Sequence, residues 1–146
     1  MWKWAGLSCY LIILSIHDIR TRKIPAVWLV IGGVAALAYL TYLCLCQPFS
    51  ELWPEILKSW GPGVLMLAAG RVSGKIGTGD GCVLLVAGSI VGSEKIMVVF
   101  MVSLLLASVT AVVLLIFCKA GKNHKMPFMP FLALAVIWLK VGIPYF

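Results

Sequence analysis

Charge is what this sequence has least of. Only 12% of its 146 residues are charged, against 62% hydrophobic, and the mean hydropathy is +1.07. A soluble domain carries about 25% charged residues. Too few are present here to cover a water-facing surface, which points to the bilayer as solvent. Acids are scarcest, with five Asp and Glu against twelve Lys and Arg and a net charge of +7. No Arg- and aromatic-rich soluble stretch exists to bind a polynucleotide, so the excess positive charge implies no nucleic-acid partner. Useful cysteine spacing is also missing. Cys9, Cys44, Cys46, Cys82 and Cys118 form no C-x-x-C pair, so neither a disulfide framework nor a zinc site is indicated, and they read as small buried hydrophobes. The length allows one domain over residues 1–146.

What is there is a series of apolar runs, and a spanning helix needs about 20 residues. Six candidates follow one another: about 4–17, 26–46, 52–70, 80–92, 96–118 and 128–143. The expected fold is therefore all-α, an integral membrane bundle of about six helices. The third run is the weakest, because Glu55, Lys58, Pro54 and Pro62 suggest a first half that bends or lies at the interface. A signal peptide is disfavoured for the first run, since only Lys3 precedes it and no small-x-small cleavage site comes before Arg20. Eight of the twelve basic residues fall in the gaps after runs one, three and five: Arg20, Arg22, Lys23, Arg71, Lys75, Lys119, Lys122 and Lys125. By the positive-inside bias those gaps face the cytoplasm and both termini lie outside.

The only two aspartates, Asp18 and Asp80, each mark a junction between an apolar run and a basic gap, on the same expected side. Ionisable groups at membrane depth are costly and usually functional. Two carboxyls that meet cannot both ionise cheaply, so the pair shares a proton. The ionised member then takes a proton from a trapped water, which attacks a peptide carbonyl that the protonated member polarises. This chemistry needs no metal and no cofactor. The plain alternatives are local: an Asp18–Arg20 surface pair, and Asp80 as a helix N-cap. The setting of Asp80 is more specific, Gly77-Thr78-Gly79-Asp80-Gly81, where glycines permit φ > 0 and close backbone approach. Pro25 is expected to open the second helix.

Three elements resemble the type IV prepilin peptidases, which are GxGD-type aspartyl proteases. Asp18, Arg20 and Ile24-Pro25 are similar to the family's D-x-R-x-x-x-I-P element, and Gly77-x-Gly79-Asp80 to its G-x-G-D element. Residues 125–134, KMPFMPFLAL, are similar to the segment that opens its last helix. The resemblance implies a membrane-embedded aspartic endopeptidase that removes short leader peptides from type IV pilin-like (prepilin or pseudopilin) precursors at the cytoplasmic membrane face. It implies Asp18 and Asp80 as catalytic acids, with Gly77, Gly79, Gly81, Arg20, Pro25, Pro127, Phe128 and Pro130 lining the substrate. The sequence departs from the pattern at Cys82, where the family often has lysine, and at Ala26, where it often has asparagine. Starting directly at the first catalytic helix, the chain is expected to cleave peptides without N-methyltransferase activity or S-adenosylmethionine.

Rival readings from other classes are a transport or assembly subunit using the aspartates as a proton or cation relay, and a degenerate family member that binds prepilin without cutting it. His17 reads as an interfacial residue, His124 as solvated loop, and Glu55 with Lys58 as a helix-surface pair. Gly32-Gly33 and Gly61-x-Gly63 are candidates for close helix approach, with Gly63 also a candidate for the substrate path.

Overall fold

The computed structural model describes residues 2–21, 24–73, 77–117 and 127–142. Among them the chain is helical throughout, with no strand: α1 (Trp2–Thr21), α2 (Ala26–Cys46), α3 (Phe49–Ser73), α4 (Thr78–Val91), α5 (Ser93–Phe117) and α6 (Met129–Gly142). Six helices fall where the six apolar runs do, and α2 has the expected bounds. Arg22, Lys23, Lys75, Cys118, Lys119, Lys122, His124, Lys125 and Met126 lie outside the described residues.

α2 and α5 are each long and apolar enough to cross a membrane. Both turn large apolar side chains outward: Val27, Val30, Val34 and Leu37 on α2, and Met101, Leu105, Val109 and Val112 on α5. Water-soluble monomers rarely show such contiguous apolar surface. α4 and α6 are shorter, at 14 residues each; α4 is enclosed by the others, while α6 keeps an outer face at Leu134, Trp138 and Val141. Nine of the 14 residues of α4 are buried, and α4 packs against α1, α2, α3 and α5, while α6 lies between α1 and α5. Leu11, Leu14, Leu84, Ile96, Met129 and Leu132 form the fully buried centre.

The third run is not broken at its prolines. α3 continues for 25 residues with Pro54 and Pro62 inside it. Each proline removes one helical hydrogen bond. α3 compensates by packing along α4 more extensively than any other pair of helices, an antiparallel seam lined by small residues. Gly88 abuts the Ser59 carbonyl. A Cβ on Gly63 would lie 2.7 Å from the Leu85 side chain, and one on Gly81 would lie 3.0 Å from the Leu67 backbone nitrogen. Gly63, a candidate for the substrate path, is thus consumed by this seam. The Trp60 indole N–H donates to Ser89 Oγ at 2.9 Å across the same contact. Of the two glycine pairs, Gly32 and Gly63 are close-approach points, whereas Gly33 and Gly61 face open space.

α4 and α5 are joined by Gly92 alone. Its φ is +96°, a conformation side-chain-bearing residues rarely adopt, and its N–H donates to the Gly88 carbonyl at 3.0 Å to close α4. This is the one positive-φ glycine among the described residues. The expectation that the Gly77-x-Gly79-Asp80 turn uses φ > 0 is therefore corrected: Gly77 has φ −66° and caps α4, and Gly79 and Asp80 already lie within its first turn.

Candidate active site

Asp18 sits in the last turn of α1, on the stripe that runs Leu7, Leu11, Leu14, Asp18. This 3–4 spacing defines the buried face of a helix, and all four residues are buried. Asp80 occupies the equivalent place on α4, in line with Leu84, Ala87 and Val91. Each aspartate thus takes a core position at one helix end, 6% and 9% exposed respectively. α1 packs against α4, and Ile24, six residues after Asp18, packs on Gly79 next to Asp80, so residues 62 positions apart in sequence are brought to the same end of the bundle.

The local alternatives do not hold. Arg20 is exposed while Asp18 is buried, because the two project from different sides of α1, and no ion pair joins them. The N-cap of α4 is Gly77 and makes no side-chain capping bond, so Asp80 is a third-position residue and not a cap. Its carboxylate lies back over Gly77, where a Cβ would come 3.4 Å from Oδ2.

A third element completes the centre. Met129, fully buried, is the first residue of α6, and its backbone N–H donates to Asp18 Oδ2 at 3.4 Å. The first N–H groups of a helix have no partner within it. In α6 the N–H groups of Phe131 and Leu132 donate to the Phe128 carbonyl, at 3.1 and 3.3 Å, and Pro130 has none. Met129 therefore supplies the one uncommitted donor of that turn, and the positive end of the helix backs it. Sequence reasoning missed this contact. A proline in second place was the available signal, since it removes one of the free donors of that turn.

The surrounding residues divide by what they touch. Ile24 packs on Gly79, where a Cβ would meet its side chain at 3.0–3.4 Å, bringing the start of α2 to the start of α4. Pro25 is the N-cap of α2, and its carbonyl accepts from the Trp28 N–H at 3.1 Å. Gly81 is buried against Leu67 in the α3–α4 seam, so packing accounts for it. Phe128 is buried beside Met129, Pro127 and Pro130 are half-buried, and Gly77 is exposed. The cysteines are not the buried hydrophobes expected: Cys9, Cys44 and Cys46 are exposed, and Cys82 is half-buried with a free thiol. Among the described residues no group of three His, Cys, Asp or Glu side chains converges as a metal site.

Two acids sharing one low-dielectric site can hold a single proton between them, which equips the pair for general acid and general base work on a bound water. Comparison with curated proteins and with solved structures finds no match. The type IV leader peptidase family model matches residues 5–116, a stretch that includes both aspartates and ends before α6, and the chain belongs to that family.

Proposed function

We propose that the protein is a polytopic membrane aspartic endopeptidase, with Asp18 and Asp80 as its catalytic pair, removing leader peptides from type IV pilin-like precursors. One observation carries this reading: two acids from distant helices are both buried at the same end of the bundle, where α1 packs against α4. The family supplies the reaction class. In the proposed reaction the ionised carboxyl takes a proton from the water between the pair. The resulting hydroxide adds to the scissile carbonyl, whose oxygen is protonated by the partner acid. The proton then passes to the departing amine. The substrate enters beside exposed Gly77 and the Pro127–Pro130 start of α6, which border the acids.

All six helices cross the cytoplasmic membrane in this reading. α2 and α5 present their apolar faces to lipid, and the acids lie on the side of the basic gaps. Co-expression with a pilin-like precursor tests it. The unaltered protein removes the leader, and Asp18→Asn and Asp80→Asn each abolish removal while the variants still fractionate with membranes. Leader removal at the normal rate by either variant refutes the catalytic assignment. Proton or cation flux abolished by the same substitutions, without any peptide cleavage, favours a relay instead.

A further inference from the structure

A cleft lies in the half of the bundle away from the aspartates. It has a volume of about 660 Å³ and opens between α1 and α2, with Val86 and Ile90 of α4 as its floor. Its walls are small and apolar, with Gly6 and Leu7 on one side and Ala35 and Ala38 on the other. Polar character is confined to one end. There Lys3, half-buried, holds its ammonium 5.9 Å from the centre of the Tyr39 ring, with Tyr42 beside it. Among the described residues no carboxylate pairs with Lys3. At the other end the cleft is shut by Tyr10, whose ring lies on Gly32 and whose hydroxyl donates to the Trp28 carbonyl at 2.9 Å.

The length of this cleft identifies its occupant. On α2 it runs from Tyr42 to Ile31, eleven steps of roughly 1.5 Å or about 16 Å. One leaflet of the hydrocarbon core is about 15 Å deep, half of about 30 Å. A transmembrane peptide helix needs the full depth, and the Tyr10 closure denies it that. A lipid chain needs one leaflet. Lys3, the one cation among the described residues that line the cleft, sits where the head group of such a chain would lie, and an ammonium forms charge-assisted hydrogen bonds to a phosphate group. The geometry points to a binding site for one acyl chain of an anionic phospholipid, its head group on Lys3 and its tail ending against Tyr10 and Gly32. The inference rests on the membrane-spanning reading of α1 and α2.

The test uses the intact protein extracted from membranes, with native mass spectrometry after exposure to phosphatidylglycerol or to phosphatidylcholine of the same chains. Gly6→Leu plugs the cleft without a clash, because a Cβ at Gly6 meets nothing within 4 Å. Ala35→Leu, on the opposite and exposed wall, is an independent plug. The unaltered protein retains one phosphatidylglycerol in preference to phosphatidylcholine. Either plug lowers retention roughly tenfold or more, and Lys3→Gln abolishes the head-group preference while the chain still binds. Equal retention by the unaltered and plugged proteins overturns the site. So does a plug that slows leader removal while leaving retention unchanged, since the cleft would then serve the substrate. Failure of the unaltered protein to fractionate with membranes refutes the spanning reading itself.

Discussion

Replacing Gly81 with alanine perturbs the centre without touching either acid. The added Cβ would lie 2.6 Å from Leu67 Cγ, 2.8 Å from Cδ2 and 3.0 Å from the Leu67 backbone nitrogen. Non-bonded carbons rest about 3.5–4.0 Å apart, so relief requires a displacement of about 1 Å. The leucine side chain can swing away, but the backbone nitrogen cannot, and α4 must move off α3. Overpacking of this size costs about 1–3 kcal/mol of stability. The larger consequence is for rate, because Asp80 directly precedes Gly81 and a 1 Å misplacement at a reacting centre lowers turnover roughly 100-fold. The assay is the initial rate of leader removal from a pilin-like precursor, with helix content and thermal unfolding measured for each variant. Gly33→Ala, where a Cβ meets nothing within 4 Å, is expected to cleave at the normal rate. Adding Leu67→Ala to Gly81→Ala removes the Cγ and Cδ2 clashes but not the backbone one, so it recovers part of the loss. A folded Gly81→Ala protein with unchanged turnover refutes the argument that this seam holds Asp80 in place.

Two further outcomes follow from the same centre. Met129→Pro deletes the N–H that reaches Asp18 at a helix position proline accepts. Met129→Ala deletes the side chain and keeps the N–H. A hydrogen bond to a charged group is worth about 1.5–3 kcal/mol, and this one is long at 3.4 Å. The proline variant is therefore expected to cleave roughly five- to tenfold more slowly than the alanine variant. Equal rates would remove the N–H from the mechanism. The pH profile of cleavage is expected to be bell-shaped. At low pH both carboxyls are protonated and no base remains; at high pH both are ionised and no acid remains. Cleavage that keeps rising at high pH would show that only one of the two carboxyls takes part.

The helices were legible in the sequence because their signal is summed over many residues. Pro25 and the uncharged run after it marked the start of α2, and the run's last residue, Cys46, its end. The third helix was harder. Pro54 and Pro62 are local signals that argue for a first half that bends or lies at the interface, and the seam along which α3 runs as one helix depends on Ser59, Gly63 and Leu67 meeting residues of α4 that are remote in sequence. The same limit applies at the centre. Asp18 and Asp80 stood out as the only aspartates, and their place on buried stripes could be counted from Leu7, Leu11 and Leu14, or from Leu84 and Ala87. The role of the glycines could not be counted in that way. A glycine serves equally for positive φ or for close packing, and only tertiary contact decides between them. Gly81 proved to be a packing glycine, and the positive φ belongs to Gly92.

The one-residue connection at Gly92 also fixes a depth. With no slack between α4 and α5, α4 must start back from the surface where α5 enters, and Asp80 stands eleven residues above Val91, about 16 Å along the helix. On α1, Trp4 is level with the start of α5, since Lys95 lies 5.6 Å from its ring, and Asp18 is fourteen residues further on, about 21 Å. On the spanning reading proposed above, a hydrocarbon layer about 30 Å thick that begins level with the start of α5 would leave Asp18 about 9 Å and Asp80 about 14 Å short of the far boundary. Water and the peptide would then have to descend to them. That recess, set by the shortness of one helix, would keep soluble polypeptides away and admit a bond already held at the membrane by its own anchor.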